Sequence, residues 1–246
     1  MKIETKKIIL KDGKEVAQIT TMDERWYLES VKDKEVYYPS SSWISSYYPK
    51  GIAYYKWLAN KGWDEAEELK SLAGERGSKI HQAIDLLIKG QELKIDDKFE
   101  NYDKGTQEEL TPDEWEAVMS FVEWNKVAKP EYLANEYTVI NRKDNYAGTV
   151  DIKAKIRDKL YIIDIKTSQY IWPSHKIQTS SYKHADGDKD INLAILQVGY
   201  RLNKNKYKFT DIEDKYDLFL SARKIWEEEN KDVAPKQREF PTTLKL

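Results

Sequence analysis

Two neighbouring stretches decide how this chain is read. They are Gly148-Thr149-Val150-Asp151-Ile152 and, after a polar break, Leu160-Tyr161-Ile162-Ile163-Asp164-Ile165-Lys166-Thr167. The second has the β-branched, alternating character of a strand. Side chains along a strand point to opposite faces in turn, so Asp164 and Lys166 share the face of Leu160 and Ile162. An acid and an amine at the end of such an apolar run are costly to desolvate unless they pair with each other or meet a cation. Asp151 stands thirteen residues before Asp164, on the preceding strand of a hairpin, so the two carboxylates can meet across the sheet. Two carboxylates and a lysine converging there can hold a hard divalent cation beside an attacking water.

Outward from this hairpin, Glu136 to Ile140 reads as a further strand, separated from the next by the turn-prone Asn141 to Asn145. Upstream, Glu65 to Lys89 has helical periodicity: Ile80, Ala83, Ile84, Leu87 and Ile88 form a stripe, and Gly90 is a natural stop. Gly74 and Gly77 are expected to break or thin its first part. His81 lies on the flank of the stripe, able to look along the core edge toward the sheet, although a lone histidine there is more often structural than a ligand. A second helix starts at Thr111, with Pro112 in the first turn and Glu114 closing a capping box. Its expected apolar face is Trp115, Val118, Met119 and Val122. Downstream come a short helix around Ile177 to His184, a strand from Ile191 to Tyr200, and a helix from Ile212 to Glu229 with Tyr216, Phe219, Leu220 and Trp226 inward. A tail with Pro235 and Pro241 is expected to lie over the surface. At the N-terminus, Lys6 to Leu10 and Glu15 to Thr20 flank an Asp-Gly turn, Arg25 to Ser30 adds a strand, and Pro39 with Ser40 to Ser46 opens a helical region. The fold class is therefore α/β (α+β), a central mixed sheet flanked by helices. One domain is expected over 1–246: an N-terminal hairpin and helical extension over 1–64, the core over 65–229 and the tail over 230–246.

Composition narrows the functions. Of 246 residues 40% are hydrophobic, enough for a core. The 41 basic and 43 acidic side chains leave a net charge of −2, so any attraction to nucleic acid has to come from local clusters such as Lys153 to Lys159. The absence of cysteine excludes disulfides, thiolate zinc sites and cysteine-held iron–sulphur clusters. No apolar run is long enough for a membrane span and Met1-Lys2-Ile3-Glu4 lacks a signal-peptide core, so a cytoplasmic protein is expected. The eight tryptophans and seventeen tyrosines suggest base stacking, but rings at core spacing, such as Trp115 and Trp226, read as core.

An acid two residues before a lysine is weak evidence alone. It recurs at Glu4/Lys6, Asp12/Lys14, Glu68/Lys70, Glu92/Lys94 and Glu213/Lys215, where solvated pairs suffice. The combination is more specific. From about Tyr38 to Ala185 the chain resembles the PD-(D/E)XK nuclease superfamily, in its RecB-like and lambda-exonuclease-like branch, which includes phage and mitochondrial exonucleases. Pro39-Ser40-Ser41-Ser42-Trp43-Ile44, Pro49-Lys50-Gly51 and Trp57 are similar to the opening segment of phage members. Gly77-Ser78-Lys79-Ile80-His81 resembles the Gly-x-x-x-His helix, and Glu136 stands where many members carry a glutamate. Gly148-Thr149-Val150-Asp151 and Ile163-Asp164-Ile165-Lys166-Thr167 resemble the two central motifs, and Gln178-Thr179-Ser180-Ser181-Tyr182 the Gln-x-x-x-Tyr helix. A second glutamine candidate, Gln197-Val198-Gly199-Tyr200, is one residue short of that motif and lies in a strand-like stretch.

The resemblance implies a restriction-endonuclease-like core and a magnesium- or manganese-dependent deoxyribonuclease with one or two ions. Asp151 and Asp164 would share the metal with His81 and the backbone carbonyl of Ile165, and Lys166 would be catalytic. Glu136 would either support a second metal or only anchor a strand. Gln178 and Tyr182 would brace the site and touch the DNA backbone, with Thr167 and Arg76 as further nucleic-acid contacts. The implied role is an exonuclease of recombination, replication or repair, in the host cytoplasm if phage-encoded. Its implied partners are DNA, a homo-oligomer, or a single-strand-binding or annealing protein. Two alternatives stand beside it: an endonuclease of the same superfamily, and a nuclease-like module that grips DNA or a partner without cutting. Retention of Asp151, Asp164 and Lys166 argues against the second.

Overall fold

The computed structural model describes residues 4–10, 12–20, 24–32, 34–102, 104–201, 203–231 and 245. The expected tail with Pro235 and Pro241 lies outside them. In chain order the elements are β1 (Glu4–Ile9), β2 (Glu15–Thr20), β3 (Arg25–Val31), β4 (Lys34–Pro39), α1 (Ser41–Ser46), α2 (Ile52–Lys61), α3 (Trp63–Ile88), β5 (Lys98–Asn101), β6 (Thr106–Glu109), α4 (Pro112–Ala128), β7 (Glu131–Asn141), β8 (Tyr146–Ile156), β9 (Lys159–Lys166), α5 (Pro173–Asp186), β10 (Asn192–Val198), β11 (Tyr207–Ile212) and α6 (Tyr216–Glu229).

The expected mixed sheet is present, with strand order β11-β10-β9-β8-β7. Strands β7, β8 and β9 form an antiparallel meander, and β10 returns parallel to β9 after the α5 crossover. That pattern explains the sequence of β10: with a strand on each side and a helical layer on each face, Leu193 to Val198 are all buried. On one face, Ile80, Ala83 and Ile84 of α3 and Ala117, Val118, Phe121 and Trp124 of α4 pack on Ile152, Ile163, Ile165 and Leu196. Each buried isoleucine contributes about 1.5–3 kcal/mol. On the other face Tyr182 of α5 packs with Val150, Ile162 and Leu193. Behind it Ile44, Ile177, Tyr146 and Phe219 join Trp26 of the N-terminal sheet in a second core.

Several local readings need correcting. Helix α3 runs unbroken through Gly74 and Gly77, since each glycine costs a helix only roughly 1 kcal/mol and the buried Lys79, Ile80, Ala83 and Ile84 anchor its second half. The inward face of α4 is Ala117, Val118, Phe121 and Trp124, whereas Met119 is exposed; the capping box set the start correctly but not the rotation of the helix. Short polar strands β5 and β6 arise where no apolar alternation announces them. Strand β11 ends at Ile212 and α6 begins only at Tyr216; Phe219 and Trp226 are fully inward, Tyr216 and Leu220 partly. The N-terminal hairpin grows into a four-stranded sheet, β1-β2-β3-β4. It is tied to the core where Arg142 donates to both carboxylate oxygens of buried Glu29 at 2.7 and 2.9 Å.

Candidate metal centre and its lysine

The site forms where the β8–β9 ladder gives out. Regular pairing ends at Ile152 opposite Ile163. Beyond it the Ile165 N–H donates to Asp151 Oδ2 at 2.6 Å, so a side-chain carboxylate replaces the next ladder acceptor. Asp151 is thereby fixed at the opening edge of the sheet. In β7, Glu136 lies between two paired residues that face Ile152 and Val150 and has a φ of 44°. A left-handed residue inside a strand is strained by about 1–3 kcal/mol. Here it accompanies a carboxylate turned toward α3. From α3, His81 Nδ1 comes within 3.5 Å of Asp151 Oδ1 and 3.7 Å of Glu136 Oε1, while Nε2 contacts the Ile165 carbonyl at 3.2 Å. One ligand atom from each of His81, Glu136 and Asp151 falls within 4.8 Å of the others.

Asp164 and Lys166 approach from the α5 face, as strand alternation requires. Lys166 Nζ lies 2.8 Å from Asp164 Oδ2. The approach is off the line a hydrogen bond needs, and that fully buried oxygen has no hydrogen-bond partner. Asp164 does not join the tight donor group, because its carboxylate is drawn toward the lysine instead. Lys166 also reaches Gln178 Oε1 at 3.5 Å, and Gln178 Nε2 donates to the Tyr182 hydroxyl at 2.7 Å. Tyr182 is in turn seated on Gly148: a Cβ there would lie 2.5 Å from the ring and 3.0 Å from Ser41 Oγ. Ser41 itself donates to the Ala147 carbonyl at 3.1 Å, which docks the serine-rich segment onto β8.

Electrostatics set the protonation states. Burial raises Asp164 to about 6, helped by the charge of Asp151 and opposed by Lys166. Burial would also raise Asp151, but His81, Lys166 and the Ile165 N–H outweigh it and hold that carboxyl below its ordinary value. Burial would depress His81, yet Asp151 and Glu136 keep it well above the usual histidine range. Lys166, though desolvated, is held above the usual lysine range by Asp164 and Asp151. Glu136 is raised, chiefly by burial, while 35% of its side chain stays accessible.

The donor set fits a divalent cation. Two carboxylates and an imidazole converge, and a buried carboxylate oxygen next to them lacks a hydrogen bond. Oxygen-rich donors suit magnesium and manganese, and the imidazole favours manganese of the two. Of the other expected residues, Ile165 offers its carbonyl to His81, which places it as the group that orients the imidazole. Thr167 packs toward Gly77, its Oγ1 3.9 Å from where a Cβ would stand. Arg76 lies against Gly199 with a buried, unpartnered Nε. Tyr182 is only 4% exposed, so it braces Gln178 and cannot present its ring to DNA. Gln197 lies on β10 and donates to the Ser168 carbonyl at 2.8 Å. His175 was not foreseen; burial, with the nearby charges of Lys166 and Lys50, lowers it to about 3. No local motif marks it, since only the fold brings it to the lysine. No helix among the described residues is long and apolar enough to cross a membrane.

No family model and no curated protein matches the chain.

Proposed function

We propose that this chain hydrolyses phosphodiester bonds in DNA with a magnesium or manganese ion, as a nuclease of the PD-(D/E)XK kind that works from DNA ends. The observation that carries the reading is the meeting, at one end of the sheet, of His81, Glu136 and Asp151 with the buried Asp164–Lys166 pair. A bound cation would polarise the phosphate and acidify a water. Asp151 and Glu136, with the His81 imidazole, would hold it, and Asp164, once ionised, would add its charge beside Asp151 while keeping the Lys166 ammonium at the site. Lys166 is kept protonated by its two carboxylate neighbours, so its part is to orient the attacking water and stabilise charge gathering on the phosphate. Gln178, backed by Tyr182, fixes the direction of the ammonium group. The non-cutting alternative leaves this arrangement without a use, because a charged lysine buried beside two carboxylates adds nothing to a grip on DNA from outside.

The test is incubation of the purified chain with matched linear and covalently closed circular DNA in magnesium, manganese or chelator. Progressive loss of linear DNA in metal alone, with circles left mostly intact, is expected. Discrete internal fragments at equal rates from both substrates would make it an endonuclease; no cleavage under any condition would refute the reading.

A further inference from the structure

The loop between Lys166 and α5 displays two large aromatic rings that no core uses. Tyr170 is 65% exposed and Trp172 52%, and their centroids are 5.8 Å apart with planes tilted by 49°. A single exposed ring needs no explanation. A pair held out on a fixed backbone does, and this backbone is fixed. Gln197 Nε2 donates to the Ser168 carbonyl at 2.8 Å, and Ser168 Oγ donates to the Tyr170 carbonyl at 2.8 Å. Gln169 bridges to the end of β10, donating to the Gly199 carbonyl at 3.1 Å and accepting from the Arg201 N–H at 3.0 Å. On the far side the Trp172 N–H donates to His175 Nδ1 at 3.4 Å, and Pro173 locks the first turn of α5. His175 can accept because it stays neutral beside Lys166 and Lys50. Tyr170 follows Lys166 by four residues and Trp172 by six, so even a fully extended chain puts them within about 14 and 22 Å of it. That is the reach of the first few nucleotides of a strand.

We infer that Tyr170 and Trp172 form a stacking platform for unpaired bases of the strand whose phosphodiester lies at Lys166, which makes single-stranded or frayed DNA ends the preferred substrate class. The inference rests on the nuclease reading for its substrate. Every base has a π face, so such a platform grips a strand without reading its sequence. It also supplies what the overall charge of −2 does not, a local hold on a polyanion.

The experiment measures binding of the full-length chain, in chelator, to fluorescent oligothymidylate and to a base-free abasic oligomer of equal length. The wild type should prefer oligothymidylate. Joint Tyr170→Ala and Trp172→Ala substitution should weaken that complex by at least roughly fivefold while leaving the abasic complex nearly unchanged. Joint Tyr170→Phe and Trp172→Phe should keep the preference. Both positions are exposed, so circular dichroism should show an unaltered fold. Equal losses on both oligomers, no loss on either, or a wild type that binds neither would overturn the platform. A wild type that shows the base-dependent preference but cleaves no DNA in magnesium or manganese would overturn the nuclease reading and leave the platform standing.

Discussion

Asp164 and Lys166 are buried to different depths, their side chains 1% and 19% exposed. Both are desolvated: burial raises the carboxylate to about 6, and each charge is what makes the other tolerable. Asp164→Asn leaves Lys166 still facing Asp151, so it should change the melting temperature of chelated protein at neutral pH less than Lys166→Ala, which should lower it by leaving two buried carboxylates without their cation. Both should cut DNA turnover by ~10²-fold or more, because positioned charge near a transferring phosphate is lost. The pH dependence follows the same sign. A folded pKa raised from 3.8 to about 6 gives stability that is complete below 3.8 and lost as pH rises through 6. Asp151, held below 3.8, contributes the opposite way, stability lost as pH falls below that range. Urea melts of chelated wild type across pH 4 to 7, against Asp164→Asn, should show a steeper decline with rising pH than the variant, in which Glu136 and His81 still contribute. Identical profiles would show that Asp164 is not desolvated as described. The pairing of Asp164 with Lys166 was legible from alternation along one strand. Glu136 was named from the family resemblance alone, with two roles open, since a positive φ inside a strand leaves no mark in composition.

At the scale of elements, the site depends on a relay from β8 to α5 to β9. Gly148 admits the Tyr182 ring, Tyr182 holds Gln178, and Gln178 holds Lys166. Gly148→Ala should displace the ring, cost about 1–3 kcal/mol by overpacking, and lower turnover although no proposed ligand is touched. Tyr182→Leu in the same chain should recover part of the stability but not the turnover, a non-additivity that a double-mutant cycle reads directly. Strictly additive effects would mean the two residues are uncoupled. Strands β7 to β9 could be read because alternation and turn residues agree there, and α4 because Thr111, Pro112 and Glu114 mark its start. The rotation of α4 could not be read: Val118 lies on both candidate stripes, and only the sheet beneath selects Phe121 and Trp124 over Met119. Strands β5 and β6 were invisible because Lys98–Asn101 and Thr106–Glu109 carry one large apolar side chain, Phe99, between them.

For the whole molecule, a mixed sheet between two helical layers brings groups 85 residues apart in sequence, from His81 to Lys166, to one edge. The N-terminal segment shares a core with α5 and α6 through Trp26 and Ile44, which a reading of it as an appended hairpin missed. Its apolar residues, among them Ile19, Trp26 and Ile44, mark a buried face without showing which helices will cover it. With a net charge of −2 there is little long-range pull toward internal DNA sites, so activity should concentrate at ends and weaken with salt as local phosphate contacts are screened. Salt-independent cleavage would contradict that. The most direct measurement of the central claim is the rate of nucleotide release from linear DNA by wild type and Asp164→Asn, in manganese and in chelator, with circular dichroism showing both folded. Release by the wild type in manganese alone, with the variant reduced ~10²-fold or more, is the predicted result; release that persists in chelator, or an equally active Asp164→Asn, would contradict it.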